Sequence, residues 1–398
     1  MINKECEHDN QRAGAGRSGD MKLSRRLLLG TAPATGWDQP EGIGRVPARL
    51  PRVVRLSVLD LIPVRTGQTT SQALQASVAL ARTAEAAGYH RYWVAEHHNM
   101  PAVASTNPPV LIALLASATE RIRVGSGGVM LPNHAPLVVA EQFSLLESAF
   151  PSRIDLGIGR APGSDPVTNW ALRHGGGGTE GIVEEFPTHV ANLIMMMSPE
   201  GVGLALQDRT YDLHATPKAT SIPTLWLLGS SDYSARLAAE QGLPYVFAHH
   251  FAGEGTAQML QLYRDNFKPS ELLDAPRTFL TANASVAETT EEAERLALPQ
   301  LVQMAGLRTG RPLSPQLTVE AAETDDYLRT QALLIEQMRG KWVIGDPGIA
   351  AKKLIALAEE FGVDEVMVNP VAGAYEDTPA DAAPAREQTL RLLAEAVD

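Results

Sequence analysis

The 398-residue sequence predicts a (β/α)8 TIM barrel, and three observations predict it. From about Arg55 onward, short Val- and Leu-rich runs alternate with stretches of helical period, which implies a parallel sheet. Eight such runs can be counted, the number that closes a barrel. Histidines and other polar residues gather just after these runs, at the end of a barrel where chemistry is carried out. A doubly wound sheet is the competing architecture, since the two differ by only a strand or two in the count.

The first strand is expected over 55–61 (RLSVLDL), ended by Pro63. A helix follows over 71–88, with Leu74, Val78, Ala81 and Ala84 at helical spacing, Ser71 as its cap and Gly88 as its stop. Residues 91–95 (RYWVA) read as a strand, and 108–118 as a helix opened by prolines. A strand over 121–131 has glycines near its end; a helix over 136–150 and a strand over 153–158 follow. A less regular insertion after this fourth strand spans about 162–220. Its Gly175–Gly178 run has the backbone freedom of a mobile lid, and Trp170, Phe186 and Leu204 could line an apolar pocket or pack the insertion down. Strands over 224–228, 244–248 and 278–287 then alternate with helices over 234–241 and 255–267. A helix opens over 290–297, and a second insertion, after strand 7, runs to about Asp325. A helix over 347–361 and a strand over 364–369 complete the ring.

Composition narrows the function classes. The net charge is −12, 44% of residues are hydrophobic, and Cys6 has no intrachain partner, so a disulfide-stapled domain is excluded. No run approaches the ~20 apolar residues of a membrane span, and the acidic balance argues against nucleic acid as a partner. Residues 1–55 carry +4 and the rest −16. The Gly-, Pro- and Arg-rich segment 1–54 is therefore expected to be a disordered or loosely attached arm ahead of one barrel domain over 55–398. Arg25-Arg26 resembles the start of a twin-arginine export signal, but only Leu27–Leu29 follow as an apolar stretch. A cytoplasmic protein is the expectation.

Five of the ten histidines (His97, His98, His134, His249 and His250) fall at strand ends, the first two directly after Glu96. Gly229-Ser230-Ser231-x-x-Ser234 joins a strand to a helix, so hydroxyls and free backbone N–H groups face the helix's positive end; Arg160 ends the neighbouring strand. That pattern suits a phosphate, although the serines could simply cap the helix. Gly157-x-Gly159-x-x-x-Gly163 is too long for a dinucleotide fingerprint, and no P-loop exists. A metal site is not expected: there is no HExxH, and adjacent histidines on a strand point to opposite sides.

Several of these segments carry a family resemblance. Tyr92 to His98, Gly127 to Pro136, Arg153 to Arg160 and Leu228 to Ala235 resemble the bacterial-luciferase-like flavin-dependent monooxygenases, as do Leu56 to Asp60 and Gly362 to Asn369. The resemblance runs in order from about 55 to 395. It implies reduced FMN as cofactor, supplied by a separate NAD(P)H-dependent flavin reductase, and O2 activation through a flavin C4a-peroxide to oxygenate a small organic substrate. It further implies that Arg160, Ser230, Ser231 and Ser234, with Gly229, hold the 5′-phosphate. Glu96 and His97 would lie beside the flavin ring, with His98 behind them or exchanging roles with His97. Gly127-Gly128 falls where relatives carry a non-prolyl cis peptide under the ring, and His134, His249 and His250 are left to line the substrate. Luciferases proper place a reactive cysteine where this sequence has Gly159, so light emission is not implied. The same superfamily also contains F420-dependent oxidoreductases that transfer hydride without O2, the alternative reading. A homodimer is the expected assembly.

Overall fold

The computed structural model describes residues 54–161, 165–172, 184–206, 209–251 and 253–397. Segment 1–53, with Arg25-Arg26, and the Gly175–Gly178 run lie outside the described residues. Strands and helices alternate as β1 (Arg55–Asp60), α1 (Thr70–Ala86), β2 (Arg91–Val94), α2 (Pro108–Ser117), β3 (Arg123–Met130), α3 (Pro136–Ala149) and β4 (Ile154–Gly159). The first insertion holds α4 (Pro166–Leu172), α5 (Phe186–Met197) and an antiparallel hairpin of β5 (Val202–Leu206) and β6 (Arg209–Leu213). Next come β7 (Thr224–Gly229), α6 (Asp232–Gln241), β8 (Tyr245–Phe247), α7 (Thr256–Asn266), β9 (Thr278–Val286) and α8 (Thr290–Arg308). The second insertion holds α9 (Val319–Glu323), α10 (Tyr327–Thr330), α11 (Ala332–Lys341) and a short strand β10 (Val343–Gly345). The chain ends with α12 (Pro347–Phe361), β11 (Glu365–Pro370) and α13 (Pro384–Val397).

The sheet order β9-β11-β1-β2-β3-β4-β7-β8, with β8 pairing back to β9, closes eight parallel strands into a barrel. β10 adds to the upper part of β9 beside this ring. The eight barrel strands are those expected from the sequence, and both insertions fall after barrel strands 4 and 7.

Local chemistry explains most boundaries, and three differ from expectation. α1 begins one residue earlier because Thr69, not Ser71, is the cap, completing a capping box with Gln72. α6 starts at Asp232, where the N-terminal residue Ser231 is already extended. α8 does not stop near residue 297 but runs through Pro299, whose missing N–H leaves the Arg295 carbonyl without its bond inside the helix; the next carbonyl, Leu296 O, accepts from the Gly373 N–H at 2.6 Å and ties this turn to the loop after β11. α12 agrees with its signals, capped by Asp346 and closed by the left-handed Gly362.

Inward-facing residues fill the barrel in layers. At the N-terminal end Arg91, with no exposed side-chain surface, bonds Asp155 at 2.7 Å and Glu365 at 2.6 Å, and Arg123 reaches Asp155 at 2.6 Å. Above them Leu59, Trp93, Trp226, Val246, Phe279 and Met367 form an apolar plug, with Trp93, Trp226 and Phe279 ring centroids 4.9–5.8 Å apart. This plug is solid, so the two ends of the barrel are separate environments. Of the insertion residues, Phe186 is buried in the main core while Trp170 is 65% exposed; the first packs the insertion down.

Candidate active site

The C-terminal strand ends converge on Glu96, which is 1% exposed at the end of β2. Its carboxylate accepts three bonds: from His98 Nε2 at 2.8 Å, from His134 Nε2 at 2.8 Å, and from the Met130 N–H at 2.9 Å. Burial alone would raise the Glu96 pKa, but the bonds from His134, His98 and Met130 outweigh it and hold the carboxyl below its ordinary range. An ionised carboxylate can only accept, so Nε2 of both histidines must carry a proton. The histidine beside Glu96 in sequence is not its partner. His97 instead donates its backbone N–H to Ser105 O at 2.9 Å, and its ring Nδ1 is buried without a partner among the described residues. Burial pushes the His97 pKa down, so the ring is neutral at pH 7.

Ser105 fixes this loop. Its hydroxyl donates to Ala95 O at 2.6 Å and accepts from Ala95 N–H at 3.0 Å. Asn99, in the left-handed region, ties the same loop to Thr168 of α4 at 3.1 Å. No residue-type signal in the sequence marked Ser105 or Met130, because their roles are set by backbone proximity across the strands.

Beside Glu96 the Gly127-Gly128 peptide is cis, at the point where the β3–β4 register slips by one residue between Ser126 and Val129. A Cβ on Gly127 would lie 3.0 Å from Trp93, and one on Gly128 would lie 2.6 Å from Leu228 and 2.7 Å from Gly157 O. The backbone here is packed so closely on the plug and on β4 that neither position has room for a Cβ without a shift.

On the next strands, the Arg160 guanidinium stacks over the Tyr233 ring at 4.1 Å, and no carboxylate among the described residues pairs with it. Ser231 occupies the N-cap of α6, but its hydroxyl makes no capping bond. Ser230 is exposed and Ser234 buried; the Ser234 hydroxyl presses so close to Gly229 that a side chain there would collide with it. The expected phosphate elements are thus brought together: a cation with no counter-ion and hydroxyls with no bond among the described residues, beside a helix N-terminus.

The tandem histidines after β8 part company. His250 faces the barrel mouth, where Nδ1 lies 2.9 Å from Thr281 Oγ1 and its carbonyl accepts from Asn283 at 2.8 Å. Burial, then His249 and His97, push its pKa down to about 4. His249 turns into the helical shell, bonded to Thr256 at 2.7 Å and edge-on to Phe361 at 5.2 Å. Asn369 donates to Asn283 at 2.9 Å, completing a polar rim of Thr281, Asn283 and Asn369 above the plug. Sequence parity could have found this rim, since 279, 281 and 283 share the inward face of one strand. Among the described residues no three His, Cys, Asp or Glu side chains are grouped to hold a metal. No described helix is long and apolar enough to cross a membrane.

Comparison with known proteins agrees with this geometry. Residues 54–365 match a family model described as luciferase-like monooxygenase. Over 319 residues, 80% of this chain and 92% of the relative, the sequence is 40% identical to a protein of Escherichia coli (strain K12) named luciferase-like monooxygenase. The solved structure of apo-MsnO8 superposes with a TM-score of 0.72 at 32% identity, covering 86% of this chain and 98% of that one. The oxygenating constituent of 3,6-diketocamphane monooxygenase from Pseudomonas putida, in complex with FMN, shares the fold with a TM-score of 0.62 at 20% identity, covering 86% and 97%.

Proposed function

Because the chain belongs to the luciferase-like monooxygenase family, we propose that it binds reduced FMN at its strand ends and uses O2 to oxygenate a small organic molecule. The observation that carries the cofactor reading is Arg160: a guanidinium stacked on Tyr233, with no carboxylate partner among the described residues, beside the α6 N-terminus. The residues present fit FMN on two further counts. Gly127 and Gly128 let the strand end settle against Trp93, Leu228 and Gly157 with no side chain of their own, leaving only backbone to meet a flat ring, and the Ser231 hydroxyl is not spent on its own helix.

In this reading Arg160, Ser230, Ser231 and Ser234 hold the phosphate, with Gly229 allowing Ser234 its close approach. Gly127-Gly128 support the ring. Bound reduced FMN supplies the electrons and activates O2. The chain's own work is positional and protonic. Glu96 orients the His98 and His134 rings with Nε2 protonated, and neutral His97 offers an unpartnered Nδ1 as a proton acceptor. The plug of Trp93, Trp226 and Phe279 keeps water from reaching the site from below. His250 lines the substrate side of the mouth, whereas His249 supports the shell. The reading extends to a separate NAD(P)H-dependent flavin reductase as the source of reduced FMN, to action in the cytoplasm, and to a homodimer. Exposed Val110 and Leu114 on α2 and Val138 and Leu145 on α3 support the last.

Anaerobic titration of the full chain with reduced FMN and with F420 tests the proposal. Saturable binding of reduced FMN, with O2 consumed on aeration, is expected. Arg160→Leu should weaken that binding about 10- to 100-fold, the loss of one charge-assisted contact to phosphate. Binding of F420 with no affinity for reduced FMN would overturn it in favour of hydride transfer.

A further inference from the structure

At the opposite, N-terminal end of the barrel a cavity of about 270 Å³ opens beneath the plug, lined by Arg55, Trp226, Arg264, Arg277, Thr278 and Glu365 among others. Among the described residues the charge around it does not balance. Leaving Arg264 aside, Arg55, Arg91, Arg123 and Arg277 surround Asp155, Asp364 and Glu365, and each carboxylate is already engaged. Asp155 is held by Arg91 and Arg123, Glu365 by Arg91 and Ser57, and Asp364 by Arg55 at 3.3 Å. Arg264 is anchored to the carbonyls of Phe361 and Gly362 at 2.7 and 3.1 Å. Arg277 forms no ion pair among the described residues; its guanidinium sits 5.1 Å from the Trp226 ring centroid, and Arg91 sits 5.0 Å from the same ring. Burial, then Arg91, disfavours the Arg277 charge by more than the nearby Glu365 and Asp155 carboxylates favour it.

Two neutral groups add to the pattern. Trp226 is fully buried, yet among the described residues its indole Nε1 has no hydrogen-bond partner, and the buried Thr278 hydroxyl has none either. An indole N–H can only donate, and orphaned buried donors are costly. Trp226 and Thr278 thus line, together with Arg55, Arg264 and Arg277, one small polar space that suits a negatively charged acceptor.

We infer that this cavity binds a phosphate-class oxyanion, free or as a phosphomonoester, through the guanidiniums of Arg55, Arg264 and Arg277, close enough to the Trp226 ring for its indole resonance to report the ligand. The site is separated from the flavin site by the aromatic plug, so its ligand is a second anion and not the cofactor's phosphate. In an acidic chain of net charge −12, a local excess of guanidinium is a selective feature and not a general attraction.

The test follows the indole N–H resonances of the full chain, five in number, with that of Trp226 assigned by its loss in Trp226→Phe. Inorganic phosphate should shift the Trp226 resonance saturably where chloride at equal ionic strength does not. The shift should persist in Arg160→Leu and need at least about tenfold more phosphate in Arg277→Gln. Should that variant not fold, Thr278→Val replaces it, with weaker binding expected. Tighter binding of glycerol 3-phosphate than of phosphate would identify an ester as the source; equal binding would identify the free ion. An unmoved Trp226 resonance in the wild-type chain, or a shift abolished by Arg160→Leu and untouched by Arg277→Gln, would overturn the inference.

Discussion

The His250 side chain shows how a single residue can set a pH limit on the whole site. The folded chain holds it neutral with its pKa at about 4, whereas an unfolded chain would protonate it at an ordinary value near 6.5. The unfolded state therefore binds more protons in that interval, and stability falls as pH drops through it. The contribution is complete above about pH 6.5 and is lost towards pH 4, by up to about 3 kcal/mol. His250→Gln can keep a bond to Thr281 and cannot titrate, so urea melts at pH 7 and pH 5 should differ less for the variant than for the wild-type chain. Equal differences would place the acid sensitivity elsewhere. At this scale the sequence was only partly legible. Glu96, Arg160 and the serines could be picked out by residue type at strand ends. That Glu96 would bond His98 and His134 and leave its neighbour His97 aside depends on how the loop turns at Ser105 and Asn99, which no spacing encodes.

Single elements carry constraints of a different kind. β4 presents two inward glycines with opposite tolerances. At Gly157 a Cβ would collide with the carbonyl oxygen of Ser126, part of the slipped register that carries the Gly127-Gly128 peptide. At Gly159 the nearest atom, Val129 O, is 3.9 Å away. Gly157→Ala should thus cost about 1–3 kcal/mol or more, and Gly159→Ala about 0.5 kcal/mol or less, as read from thermal and urea unfolding. All eight barrel strands were legible because their apolar runs are short and bounded by turn residues. The elements missed have identifiable reasons. α5 and the β5–β6 hairpin sit in an insertion where α5 packs on α3 and the hairpin on α5, long-range contacts that local runs do not show, and α8 reads from sequence only to 297 although it continues through Pro299.

For the whole molecule the N-terminal ion network decides stability without touching the chemistry. Arg91 alone joins Asp155 to Glu365, and both carboxyls lie buried between strands at different points of the ring. Arg91→Met would leave two buried carboxylates short of their shared cation, a loss of about 3–5 kcal/mol. Urea unfolding should register that loss, while Kd for reduced FMN in the surviving folded protein stays unchanged. A variant as stable as the wild-type chain would show that the carboxylates find another partner.

Trp93 spans the distance between the two ends of the barrel. Its Nε1 donates to Asp155 at 3.0 Å on one side, and on the other its ring lies against the backbone of Gly127. An indole so placed is an optical gauge built into the fold. A flavin seated on the strand ends would take up its excitation energy, so that cofactor loading can be followed from the protein's own emission, with no dye attached and no residue replaced.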